Sequence, residues 1–281
     1  MDDVRVSIVT GGSSGIGWQT ARALAKRGDT VVLVGRNPDR CTAARDRILA
    51  EYPEAVVDTR FADFASLTQV DALANGIRAD YNRIDVLVNN AGAFYSTRQV
   101  SHDGFELTWA TNHLAPFLLT HRLLPVLRAS APSRIVNVSS AAHISTSINF
   151  DDIQAERSYS GLRAYAQSKL ANILFTYELA HRLADSDVTA NALHPGFVAT
   201  GFGSNNTGMF MALNAFLARF FAISPEAGAL TSIALAIDPT LSQTTGLYFS
   251  NAKPVASSRA SYDVTSRRRL WELSMQQCGL S

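Results

Sequence analysis

Val4-Arg5-Val6-Ser7-Ile8-Val9-Thr10-Gly11-Gly12-Ser13-Ser14-Gly15-Ile16-Gly17 is the stretch that decides the fold. Val4–Thr10 is a short apolar run without clean polar alternation, which is how a strand covered on both faces reads. A Gly/Ser-rich turn follows, and a helical pattern runs over Gly15–Arg27. Glycine lets the backbone turn tightly and approach a ligand with no Cβ in the way. A helix N-terminus adds free N–H groups and the positive end of the helix dipole. Strand, glycine loop and helix in this order form a turn suited to a pyrophosphate, with a plain Gly/Ser turn as the bland alternative.

Outward from that stretch the same rhythm repeats. Apolar runs at Thr30–Gly35, Ala55–Phe61, Ile84–Asn89, Ser133–Ser139, Val188–Leu193 and Gly246–Ser250 predict further strands. Between them lie helical patterns over Asp39–Glu51, Ser66–Asp80, Gly104–Ala129, Leu162–Ala184 and Pro225–Ile237, and a tail helix over Ser258–Gln277 turns Leu270, Trp271 and Leu273 inward. This alternation predicts an α/β fold: one Rossmann-type, doubly wound parallel sheet of about seven strands flanked by helices. Two segments break the rhythm, an insertion over 141–163 and a stretch over 197–224. Both follow carboxyl ends of strands, where open α/β sheets bind ligands.

Composition narrows the class. The chain has 281 residues, 47% of them hydrophobic, and a net charge of +1, which fits one domain over 1–281 and speaks against nucleic acid as the main partner. Arg267-Arg268-Arg269 reads as a solvated helix face. Cys41 and Cys278 fit no ligand spacing, and the six histidines show none either, so no metal is expected. No targeting peptide or stretch long enough to cross a bilayer is visible, so the expected setting is the cytoplasm.

The strand ends carry the chemistry. After the second strand comes Gly35-Arg36-Asn37, with no carboxylate before Asp39. A carboxylate there suits the ribose hydroxyl of NAD, whereas Arg36 suits a 2′-phosphate, so NADP(H) is expected over NAD(H). Asp63, with Phe64 beside it, follows the third strand and either accepts from an adenine amino group or caps the next helix. Asn89-Asn90-Ala91-Gly92 ends the fourth, where the small Ala91 and Gly92 let the backbone lie against a cofactor. Tyr165-Ala-Gln-Ser-Lys169 puts a phenol and an ammonium on one helix face. A free phenol has a pKa of about 10, and a neighbouring cation lowers it toward a useful acid and base.

Together Thr10–Gly17, Asn89–Gly92, Asn112, Ser139-Ser140, Tyr165–Lys169 and His194-Pro195-Gly196 resemble the short-chain dehydrogenase/reductase family in order and spacing. Asp103–Leu127 and Ala164–Leu183 resemble its retinol dehydrogenase and NADP-preferring carbonyl reductase branch. The resemblance implies a catalytic tetrad of Asn112, Ser140, Tyr165 and Lys169. It also implies a cofactor site of Gly11, Ser13, Ser14, Gly15, Ile16, Gly17, Arg36, Asn37, Asp63, Phe64, Asn90, Ala91, Gly92, Tyr165, Lys169, Pro195, Gly196, Val198 and Thr200. Strand alternation turns Ser139 to the opposite face from Ser140. By the same resemblance, Lys169 bonds the nicotinamide ribose and Asn112 holds a water leading to solvent.

The expected substrate is a lipophilic or aromatic carbonyl compound or alcohol. Met209–Ile223, rich in Met and Phe, forms an adaptable apolar wall. Lid over the pocket, core or subunit contact, and membrane contact remain open for it. Candidate substrate residues are His143, Phe197, Phe202, Met209 and Phe210. A homodimer or homotetramer is in keeping with the resemblance. The competing functions are a silent NADP-binding regulator and an epimerase or dehydratase on the same fold.

Overall fold

Every residue of β1 (Val6–Thr10) is buried, because this strand lies inside the sheet with helices over both faces. The structure is a computed structural model and describes residues 4–196 and 223–280. From β1 the chain passes through α1 (Gly15–Lys26), β2 (Thr30–Gly35), α2 (Pro38–Glu51), β3 (Val57–Phe61) and α3 (Leu67–Asp80). It then returns beside β1 as β4 (Val86–Asn89). A composite helix follows: α4 (Leu107–Trp109), a π-helical segment (Ala110–Leu114) and α5 (Ala115–Ala129). The second half comprises β5 (Ser133–Val138), α6 (Gly161–Arg182), β6 (Val188–Leu193), α7 (Pro225–Ile237), β7 (Tyr248–Ser250), β8 (Lys253–Pro254) and α8 (Val264–Gln277).

The strand order is β3-β2-β1-β4-β5-β6-β7-β8. All pairings are parallel except β7 with β8. The described residues therefore hold eight strands rather than about seven, the extra one being the two-residue β8 folded back on the edge. Strand order reverses between β1 and β4, the switch point at whose carboxyl ends open α/β sheets bind ligands.

Period-two geometry sends alternate strand residues to opposite faces. Ile8, Val32, Val34, Leu87 and Ile135 pack with α3, α5 and α6, whereas Val9, Val31, Leu33, Val88 and Val136 pack with α1, α2 and α7. Both sets are apolar, which is why the strands show no clean alternation. α8 lies outside α5 and α6, where Trp271 meets Phe117 edge-on at 5.1 Å. This packing corrects one expectation: Arg267 is not simply solvated but bonds the buried Glu178 carboxylate at 2.8 Å.

The 141–163 insertion is fastened to the core. It opens with a 3₁₀ turn over Ala141–Ser145, buries Ile153, and is held by Gln167, which accepts from Asn149 N at 2.9 Å and donates to Ile153 O. Among the described residues no helix is long and apolar enough to cross a membrane. Nor do they contain a His, Cys, Asp and Glu cluster able to hold a metal ion.

Candidate active site

The glycine loop after β1 is braced by hydrogen bonds. Thr10 Oγ1 accepts from the backbone N–H groups of Asn90 and Ala91, each at 3.0 Å, and Asn90 Nδ2 donates to Thr10 O at 2.8 Å. The loops after β1 and β4 are thereby locked across the switch point. Gly11 has φ +64°, and a Cβ on Gly17 would sit 2.3 Å from Gly11 O, so the loop tolerates no side chain there. Ser14 caps α1 without a side-chain bond, and the first turn carries no acidic residue. That helix end suits an anion, as a dinucleotide pyrophosphate requires.

Arg36 stands exposed past β2, and Asn37 caps α2 by accepting from Arg40 N at 2.9 Å. Arg36 and Asp63 line a cleft of about 440 Å³ with Tyr95, Gln99, Ser101 and His102. The helix cap considered for Asp63 falls instead to Ser66, which accepts from Gln69 N, while Asp63 accepts from Ala65 N at 3.0 Å. Phe64 is buried beside it in the core.

At the other end, β5 and α6 bring three of the tetrad together. The Ser140 hydroxyl acts on the Tyr165 phenol, favouring its ionised form, whereas Ser139 turns away and donates to Lys169 O at 2.7 Å. Lys169 lies one helical turn beyond Tyr165; its Nζ is 5.7 Å from the Tyr165 ring centre and donates to Val138 O at 3.0 Å. Phe94 meets the Tyr165 ring edge-on at 6.0 Å.

Asn112 occupies the π-helical segment, a widening of the helix often found at functional sites. It is fully buried, accepts from Ala93 N at 2.7 Å, and donates to Ala93 O at 2.9 Å and Ser168 Oγ at 3.0 Å. A Cβ on Gly92 would lie 3.2 Å from Lys169 Nζ and 3.3 Å from Asn112 Oδ1. Gly92 is thus the floor on which these two groups converge.

Burial dominates the electrostatics. It pushes Tyr165 up to about 12, opposed by the Ser140 hydroxyl, and pushes Lys169 down to about 8. The lowering of the phenol by Lys169 expected from the sequence does not govern here. The ammonium is directed at a backbone carbonyl, and desolvation outweighs charge.

The short chain dehydrogenase profile matches residues 5–209, most of the chain. The chain belongs to the short-chain dehydrogenase family. Human retinol dehydrogenase 13 is 42% identical over 279 residues, covering 97% of this chain and 84% of that protein. A solved structure of an uncharacterized protein from Mycobacterium paratuberculosis superposes with TM-score 0.78 and 33% identity, covering 99% of this chain and 94% of that one. The NADP complex of Pseudomonas aeruginosa RhlG superposes with TM-score 0.69 and 27% identity, covering 87% and 93%. Membership makes this short-chain dehydrogenase a nicotinamide-dependent oxidoreductase acting on a small molecule, in the retinol dehydrogenase-like part of the family.

Among the remaining candidates, Gly196 donates to His194 Nδ1 at 3.1 Å and has φ +86°, which shapes the turn after β6 that includes Pro195. His143 is fully buried beneath Ser140. Phe197, Val198, Thr200, Phe202, Met209 and Phe210 lie outside the described residues, as does nearly all of the 197–224 stretch. Sequence reading passed over Thr10 and Ser168, though both sit inside the motifs it quoted. It also passed over the 95–102 wall of the cleft, where no motif signals a site.

Proposed function

We propose that this chain is an NADP(H)-dependent oxidoreductase that reduces the carbonyl group of a lipophilic or aromatic ketone or aldehyde, or oxidises the matching alcohol. The observation that carries this reading is the buried Tyr165 phenol with Lys169 one turn away, its Nζ 5.7 Å from the ring centre, beside Gly92 and the braced glycine loop, with the Ser140 hydroxyl acting on the phenol. Arg36 in its cleft, with no acidic residue in the turn, supports NADP over NAD. The retinol dehydrogenase names of the relatives support a lipophilic alcohol or aldehyde. Two free cysteines suit a reducing compartment, and the cytoplasm is part of the proposal.

The loop Gly11–Gly17, Arg36, Asn37, Asp63, Phe64, Asn90–Gly92 and the turn at Pro195-Gly196, continued by Val198 and Thr200, would hold the cofactor. When bound, the nicotinamide supplies or accepts hydride. In reduction, Tyr165 gives its phenolic proton to the carbonyl oxygen as charge develops there. Ser140 donates to the same oxygen and fixes its position. The Lys169 ammonium stabilises the phenolate left behind, and Asn112 holds the backbone at Ala93 against α6. Oxidation reverses these proton movements. A silent cofactor-binding regulator would need neither Tyr165 nor Lys169.

The test is NADPH consumption across ketones and aldehydes of graded hydrophobicity, retinal included. Tyr165→Phe is expected to lose activity by about 10²–10⁴-fold. NADPH affinity, measured by fluorescence titration, should stay close to wild type. A variant that kept most of its activity would remove Tyr165 as the acid.

A further inference from the structure

We propose that His143 is a positioning residue for the reaction: its imidazole ties the backbone of Ser140 to the C-terminal segment at Ser258. The inference rests on the proposed role of Ser140 and adds a device that holds it in place.

The local sequence brings the ring back under the serine. Ser140 caps a 3₁₀ turn, in which residues three apart lie over one another. The His143 backbone N–H donates to Ser140 O at 3.2 Å, and His143 Nδ1 lies 2.7 Å from the same oxygen. On the far side of the ring, Ser258 N lies 3.0 Å from Nε2. A backbone N–H can only donate, so Nε2 accepts and carries no proton. A carbonyl can only accept, so Nδ1 carries the proton and donates. The two partners assign the neutral Nδ1–H tautomer.

Both nitrogens are therefore used, and the side chain is fully buried. Such a ring has no lone pair or proton left for a substrate. It is further held by Tyr248, whose ring stands edge-on at 4.9 Å and is itself stacked on His194 at 5.9 Å. Tyr248 opens β7 and His194 follows β6, so the clamp is anchored in the sheet. Ser140 is thereby fixed from two directions. Its carbonyl is gripped by His143, while its hydroxyl accepts from Ala142 N at 3.2 Å. A serine that must direct a proton to a developing oxyanion depends on such a hold, since a displacement of about 1 Å can cost 10²-fold in rate.

Three substitutions separate the two bonds. In His143→Asn the amide N–H takes the place of Nδ1–H and keeps the bond to Ser140 O. In His143→Gln the amide reaches toward Ser258 and withdraws from Ser140. In His143→Phe the ring packing remains and both bonds go. With an accepted carbonyl substrate, Asn is expected to keep kcat within about threefold, while Gln and Phe lose about 10–100-fold, with KM for NADPH unchanged. Rescue by Asn alone is an effect that a merely structural histidine would not show. Equal kcat in all three folded variants, or losses that follow Tm regardless of which nitrogen is replaced, would overturn the inference.

Imidazole ¹⁵N NMR of the wild-type protein gives a readout free of turnover. The Nδ1–H tautomer supports the clamp, and an Nε2–H tautomer refutes it whatever the activity. A wild type inactive on every carbonyl tested would sink the proposed function instead.

Discussion

At the scale of single residues, the site is an argument about desolvation. Tyr165 and Lys169 are a chance-level pair in the sequence, and only their burial gives them their energetics. Burial raises the phenol and lowers the ammonium, so each shifts toward its neutral form, while an amine near 8 still carries its proton at neutral pH. The sequence reading of a cation pulling down a phenol was right about proximity and wrong about which effect dominates, because burial depends on what else packs there. Arg36 is a plainer case: it is exposed, at the end of a strand, and legible from position alone. Arg36→Glu is expected to raise KM for NADPH by about 10–100-fold, the loss of a charge-assisted contact of about 1.5–3 kcal/mol. KM for NADH should change little or fall. Steady-state kinetics with both cofactors checks this, and an unchanged NADPH:NADH ratio would detach Arg36 from the 2′-phosphate.

At the scale of elements, strands and helices were legible because their periods differ and both sheet faces are apolar. The π-helical segment at Ala110–Leu114 was not. An i→i+5 widening leaves no mark in hydrophobic period and is settled by packing. Here the tail helix supplies much of that packing: Trp109 Nε1 donates to Gln277 Oε1 at 3.0 Å, and His113 Nε2 lies 2.8 Å from Ser274 Oγ. The inward face of α8 was readable from Leu270 and Trp271, but its docking against the element that carries Asn112 was not. Trp271 is buried against Phe117 and Phe175. Trp271→Ala should cost about 3–5 kcal/mol through lost burial and the cavity left behind. Urea unfolding measures the loss, and one below about 1 kcal/mol would mean that α8 contributes little to the packed state.

At the scale of the whole molecule, the buried histidines make stability depend on pH. His113 is fully buried, and burial pushes its pKa down to about 3. In the unfolded chain it takes up a proton near its ordinary value of about 6.5. Between those values the unfolded state holds the extra proton, so folding stability falls as pH falls. The slope from this one group is about 1.4 kcal/mol per pH unit. His121, His143 and His194 are lowered by burial as well and act in the same direction. Urea midpoints from pH 7 down to 5 should therefore decline, and His113→Gln should flatten the decline by up to one proton. An unchanged slope in that variant would show that His113 does not remain neutral in the folded state.

The sequence by itself determined the sheet, the order of its ligand-facing turns and the identity of the tetrad candidates. Those features are local: a glycine loop between strand and helix, a phenol and an amine one turn apart, apolar runs with no polar face. Tertiary structure alone decided what surrounds them. It bonded Asn90 across to Thr10, set Gly92 beneath Lys169 and Asn112, gave Glu178 to Arg267, and turned His143 from a candidate pocket residue into a buried brace on Ser140. Each of these joins residues distant in the chain or depends on burial, and burial is a property of the packed whole that no short stretch of sequence contains.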